Sequence, residues 1–169
     1  MTENVVLGLE CGQAGRLRQF AASPSQWKTA QAAAASAMEL CGITDLAQAQ
    51  AGVLSTGQRR LVELARCLAG EFDVLMLDEP SSGLDHDETA RFGEILQQVV
   101  AERGVGVLLV EHDMGLVMGI CSSIYVLDFG RLLFHGTPSQ VAASAVVRAA
   151  YLGSDDLIDL IREPEPEPR

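Results

Sequence analysis

From Phe72 to Pro80 the chain reads FDVLMLDEP, an apolar run closed by two acids and a proline. A short run of aliphatic side chains without polar alternation predicts a strand of a parallel sheet, buried on both faces. Acids at the end of such a strand are costly to desolvate without a partner, and ligands of open α/β folds bind at the carboxyl ends of the strands. Asp78 therefore reads as a carboxylate for a magnesium shell, reached through water, and Glu79 as a group that orients or deprotonates a water. A strand that merely ends in a solvated turn would carry the same letters.

Downstream, the pattern predicts a helix from about Asp87 to Arg103, a strand VGVLLV ending at Val110, a helix from about Met114 to Ile120 and a strand SIYVLDF. FGRLLFHGTP follows as a turn and a further strand. Strand, helix, strand, helix, strand at these lengths predicts βαβ units and a mainly parallel sheet. Directly after the first strand stands Ser81-Ser82-Gly83-Leu84-Asp85, where Gly83 permits a tight turn and Asp85 can cap the next helix; a plain loop reads equally well. Directly after the second stands Glu111-His112-Asp113. That puts His112 at the same predicted sheet edge as Asp78 and Glu79, within reach of a terminal phosphate. His86 and His135 lack such neighbours and read as structural.

Upstream the period is helical. Helices are expected from Thr2 to about Cys11 and from Ser25, after Pro24, to Leu40, with a connector GQAGRLRQFAASP between them in which Arg16 and Arg18 can meet a partner. A short helical piece near Ile43 to Ala47 leads to LSTGQ and a helix over Thr56 to Ala69, whose Leu61, Leu64, Ala65 and Leu68 share one face. Ser55 and Gln58 have the spacing of a capping box, and Gly57 lets a ligand approach the backbone, so the helix start suits an anion. An ordinary capped helix has the same spacing. Arg59 and Arg60 read most simply as a solvated face, with the alternative that one of them helps steer a phosphate. After Pro138 two short helices are expected, Ser139 to Ala143 and Ala145 to Leu152, followed by a disordered tail ending in REPEPEPR.

The composition sets outer limits. The 169 residues are 48% hydrophobic and 21% charged, which suits a globular domain, and the net charge of -11 opposes non-specific nucleic-acid binding. There is no apolar run of the ~18 residues a membrane helix needs, and the N-terminal MTENVVLGLE is acidic where a signal peptide is basic. A soluble, cytosolic protein is expected. Cys11, Cys41, Cys67 and Cys121 form no CxxC pair, so neither a zinc site nor a disulfide framework is indicated.

LSTGQ, VLMLDEP, SSGLD and VEHD, in that order and at close spacing, resemble the second half of an ATP-binding cassette (ABC) ATPase, over nearly the whole chain from Met1 to about Gly153. LVEHDMGLVM, IYVLDFGRLLFHGTP and YLG are similar to the ATP-binding subunits of branched-chain amino acid importers. The resemblance implies an α/β fold of the P-loop NTPase type, an incomplete ABC cassette with a mainly parallel sheet, flanking helices and an α-helical subdomain. It divides the chain into a helical subdomain with the signature motif and its helix (1–70), a catalytic core (71–137), C-terminal helices (138–153) and an acidic tail (154–169).

It also implies ATP and Mg2+ as cofactors, a second ABC ATPase subunit in a head-to-tail dimer, transmembrane permease subunits, no nucleic acid, and a cytoplasmic position on the inner face of the cell membrane. By resemblance Ser55, Thr56, Gly57 and Gln58 are the signature that reads nucleotide in trans, with Thr56 in place of the commoner glycine. Asp78 is the Walker B magnesium acid, Glu79 the catalytic base, Ser81, Ser82, Gly83, Leu84 and Asp85 the D-loop, and His112 the switch histidine.

One departure is plain. A phosphate loop needs G-x-x-x-x-G-K-[ST], and the sole lysine is Lys28, in SPSQWKT, with no glycine before it. The aromatic adenine platform and the glutamine loop are missing ahead of MTENV as well. Three readings follow. The chain is the C-terminal part of a transport ATPase, inactive by itself; or it is a non-catalytic partner whose signature completes the site of an intact cassette; or it is a chromosome-maintenance ATPase, disfavoured by the absence of long heptads and by the acidic charge. Without the covering strands, exposed edges, an uncovered apolar face and a marginal monomer are expected.

Overall fold

The structure, a computed structural model, describes residues 1–12 and 24–151, so most of the connector with Arg16 and Arg18, and the acidic tail, lie outside the described residues. It divides into two compact units, Met1–Glu111 and the residues from His112 onward.

The first unit begins with helices α1 (Thr2–Gly12) and α2 (Pro24–Leu40), two short 3-10 turns (Thr44–Leu46 and Ala51–Val53) and helix α3 (Thr56–Leu68). Helix α2 contains the run AAAA, whose side chains lose no rotamer freedom on folding, and it ends before Gly42, whose φ of 65° only a glycine adopts at little cost. The helices α1, α2 and α3 pack on one another around Val5, Ala34, Ala37, Met38, Leu64, Ala65 and Leu68, each buried. Burial of each of the larger aliphatic side chains contributes roughly 1.5–3 kcal/mol. The tightest point is Gly8, where an added Cβ would stand 2.1 Å from the carbonyl oxygen of Arg66, so α1 crosses α3 there with no room for a side chain.

Strand β1 (Val74–Asp78), helix α4 (His86–Arg103) and strand β2 (Gly106–Val110) form one βαβ unit. The strands pair in parallel, Val74 with Gly106 through Asp78 with Val110. Gly104, with φ 64°, ends α4 in the left-handed conformation usual for a helix terminus, and the Arg103 guanidinium donates to the Leu68 carbonyl, tying α4 to the end of α3. Burial departs from the two-sided burial read from FDVLMLDEP and VGVLLV and agrees with the uncovered apolar face expected of the sheet. Leu75 is buried, but Val74, Met76, Leu108 and Val110 are 57%, 72%, 51% and 55% exposed. The side chains of a strand alternate between faces, so one face of this pair is covered and the other lies open.

The second unit holds α5 (Met114–Ile120), β3 (Ile124–Asp128), β4 (Arg131–Gly136), α6 (Pro138–Ala143) and α7 (Ala145–Tyr151). SIYVLDF, expected as a further strand of a mainly parallel sheet, instead pairs antiparallel with β4. The cause is local. Phe129 and Gly130, with φ of 42° and 75°, give the two-residue, positive-φ turn that matches the twist of a hairpin. Thr137 and Gln140 form a capping box at the start of α6, with Pro138 at the first helical position, where its missing N–H costs nothing. Leu116, Val117, Ile124, Val126, Val141, Ala142 and Val147 form the core. His135, read as structural, stacks on Tyr125 with ring centroids 4.0 Å apart and shares a 2.9 Å hydrogen bond with Ser123 Oγ.

Candidate functional site

Residues 55–58 form a fully made capping box. The Gln58 N–H donates to Ser55 Oγ at 3.1 Å, and the Ser55 N–H donates to Gln58 Oε1 at 3.0 Å. Ser55 and Thr56 are exposed at the head of α3, while Gly57 is buried. The reason for a glycine is visible. A Cβ on Gly57 would stand 2.3 Å from Oε1 of Glu88, so the Glu88 carboxylate is seated against the first turn of α3. Glu88 also closes a second capping box, accepting from the Asp85 N–H at 3.2 Å while its own N–H donates to Asp85 Oδ1 at 2.8 Å. Asp85 thus caps α4 as its spacing predicts. The partner Glu88, three residues on, was legible from the same D-x-x-E spacing.

The starts of α3 and α4 are brought together. A Cβ on Gly83, whose φ is 81°, would lie 3.2 Å from Thr56 Cγ2, and Arg60 reaches the Ser82 carbonyl at 3.5 Å while pairing with Glu63 at 2.9 Å. Gly57, Gln58, Leu61, Leu84, Glu88, Arg91 and Phe92 line a small cavity of about 140 Å³ between them. Arg59 donates to the Leu54 carbonyl at 3.2 Å. Arg59 is exposed and Arg60 half-exposed, as a solvated face requires, and both also tie α3 to neighbouring backbone, because a guanidinium reaches carbonyls that a short side chain cannot.

Asp78 is the last residue of β1, Glu79 follows, and both are exposed at the carboxyl end of the parallel pair. Glu79 has a φ of 44°, a left-handed value uncommon for a residue with a Cβ and found disproportionately at functional sites. Among the described residues no group of three or more His, Cys, Asp and Glu side chains forms a metal cluster. Magnesium needs none, since one or two carboxylates commonly hold it together with waters and substrate phosphates, and the hard oxygens of Asp78 suit it.

Ser81, buried at 7% exposure, donates through its N–H and its hydroxyl to Oε1 of Glu111, at 2.8 and 2.5 Å. From the sequence, Glu111 is assigned no role of its own beside His112. Its signal was the one that marked Asp78 and Glu79, an acid directly after an apolar strand. His112 is exposed and opens the second unit, and Asp113 caps α5 by accepting from the Leu116 N–H at 2.9 Å.

Comparison with known proteins gives the geometry its family. Residues 2–82 match the ABC transporter family model, and residues 131–156 match that of the branched-chain amino acid ATP-binding cassette transporters. The chain belongs to the ABC transporter family. It is 42% identical over 120 residues to the high-affinity branched-chain amino acid transport ATP-binding protein LivG of Escherichia coli K12, a match covering 71% of this chain and 47% of LivG. It is 42% identical over 116 residues to the corresponding protein BraF of Pseudomonas aeruginosa, covering 69% of this chain and 46% of BraF.

The chain therefore spans about half the length of these ABC relatives. Among solved structures, the ADP conformation of MJ1267, an ATP-binding cassette of an ABC transporter, superimposes with a TM-score of 0.69 at 22% identity, over 94% of this chain and 61% of that one, a likeness of fold. No helix among the described residues is long and apolar enough to cross a membrane.

Proposed function

We propose that this ABC chain is the part of an importer's ATP-binding subunit that carries the signature, Walker B, D-loop and switch histidine, and that the imported solutes are branched-chain amino acids. The reading is supported by the 42% identity to LivG and BraF and by the match of residues 131–156. The observation that carries it is the joining of two ends. The head of α3 and the turn before α4 meet through Thr56 on Gly83 and Arg60 on Ser82, so the segment assigned to a partner's nucleotide and the one assigned to contact with the partner lie side by side.

In this reading the signature, Ser55, Thr56, Gly57 and Gln58, presents the N-terminal dipole of α3 and the Ser55 hydroxyl to the γ-phosphate of an ATP bound to a second cassette. Asp78 would hold Mg2+ through water, and the bound ion would supply charge neutralisation at the phosphates. Glu79 accepts a proton from the attacking water, and His112 contacts the terminal phosphate. Ser81 to Asp85 touch the second cassette, and permease subunits hold the dimer at the inner face of the membrane.

The phosphate loop must come from outside these residues, because the sole lysine, Lys28, lies on α2 without the glycines that cradle phosphates. The isolated chain is accordingly expected to be inactive. The exposure of Ser55 and Thr56 serves equally a second role, in which the signature completes the ATP site of an intact cassette while its own half-site does no chemistry.

Calorimetry of the isolated chain with Mg-ATP is expected to give no binding heat and no turnover; tight binding would refute the dependence on an outside phosphate loop. Joined to the phosphate-loop half of LivG, the chain should hydrolyse ATP, and Glu79→Gln should retain bound ATP while hydrolysis falls about 10²- to 10⁴-fold, the worth of a positioned base. ATPase that appears only on mixing with an intact cassette, and is abolished by Ser55→Arg, would select the second role.

A further inference from the structure

Two ties join the turn after β1 to the end of β2. The Glu79 N–H donates to the Val110 carbonyl at 2.8 Å, and two residues later Ser81 gives both its N–H and its hydroxyl to the same oxygen of Glu111, at 2.8 and 2.5 Å. Pro80 between them has no N–H to donate. Glu79 is held across this short span at φ 44°, a backbone conformation its own preference disfavours. Such a conformation persists only where its surroundings over-determine it.

Bonds to an ionised carboxylate are stronger than those between neutral groups, and Ser81 is buried, so water is poorly placed to replace Glu111. We propose that Glu111 is a positioning residue: it clamps Ser81 and thereby fixes the left-handed turn that presents the Glu79 carboxylate. The catalytic part of this inference rests on the function proposed above. The clamp itself does not.

The test uses Glu111→Ala and Glu111→Gln. In the full chain, amide exchange at Ser81 and the backbone carbon shifts of Glu79 are followed by NMR. Glu111→Ala should speed Ser81 exchange at least about tenfold and move the Glu79 shifts, whereas Glu111→Gln, which keeps an oxygen acceptor, should restore most of the protection. In the chain joined to the phosphate-loop half of LivG, Glu111→Ala should lower kcat about tenfold or more, with ATP affinity within twofold of the parent and partial rescue by Gln.

Unchanged Ser81 exchange overturns the clamp. Changed exchange with unchanged kcat overturns the positioning of Glu79. A parent fusion that binds and hydrolyses no ATP overturns the proposed function instead, and Ser81 exchange then decides the clamp alone.

Discussion

Gly8→Ala tests whether α3 is held where close packing puts it. The new Cβ would lie 2.1, 2.7 and 2.9 Å from the O, C and Cα of Arg66, all main-chain atoms of α3 that cannot rotate away. Relief requires α1 and α3 to part by about 1 Å, which loosens the buried contacts around Val5, Val6, Leu64 and Leu68. Overpacking of this kind costs ~1–3 kcal/mol, and an obstacle of backbone belongs at the upper end. Against it stands the helix propensity of alanine over glycine, ~1 kcal/mol in favour of the variant.

The clash wins by about 2 kcal/mol. With a urea slope of ~2 kcal/mol/M the midpoint should fall by about 1 M, read by circular dichroism on the full chain. Gly119→Ala is the control. It sits in α5 with nothing within 4 Å of the new Cβ and should be neutral or slightly stabilising. A Gly8→Ala midpoint equal to or above the parent's would refute the reasoning, since propensity would then outweigh the contact with Arg66. Because α3 carries Ser55 to Gln58 at its head, the same variant should also weaken any activity gained on mixing with an intact cassette.

Ser55→Ala removes one half of the capping box and should destabilise the chain by ~1 kcal/mol, measured as a lower urea midpoint. Cys41 is buried, and burial pushes its thiol up to about 12, so alkylation at pH 8 followed by peptide mass analysis should label Cys67 and Cys121 and spare Cys41. The unfolded thiol ionises near pH ~8.5 and the folded one does not, so the unfolded chain binds fewer protons. Stability from this group is thus complete below about pH 8.5 and lost as pH rises toward 12, visible as a falling melting temperature. Met76→Ser with Leu108→Ser, on the open face of β1 and β2, should reduce binding of a hydrophobic dye and aggregation without lowering the urea midpoint by more than ~0.5 M, because these side chains are already 72% and 51% exposed.

The helices and strands were legible because their signals are local. Pro24, Ser55, Asp85 and Thr137 each stand at or just before a helix start, and Met114–Ile120 lies where its letters put it. The capping spacing at Ser55 and Gln58 became two hydrogen bonds, at 3.0 and 3.1 Å. Burial was legible only in part: an uncovered apolar face was expected, but not which side chains stand on it. VLMLD and GVLLV carry aliphatic residues on both faces, but the letters do not say what covers a face, and in the structure one face is open. SIYVLDF reads as a strand without saying which strand it joins, and the turn at Phe129 and Gly130 sends it to β4.

The sequence by itself determined the motifs, their order and the family they belong to, since these depend on residue type and spacing along the chain. Only the tertiary structure decided which groups meet. Glu88 on Gly57, Arg60 on Ser82 and Ser81 on Glu111 join residues 31, 22 and 30 positions apart, and no periodicity reaches across such distances. The left-handed backbone of Glu79 is of the same kind, a conformation disfavoured locally and held by neighbours that only folding brings to it.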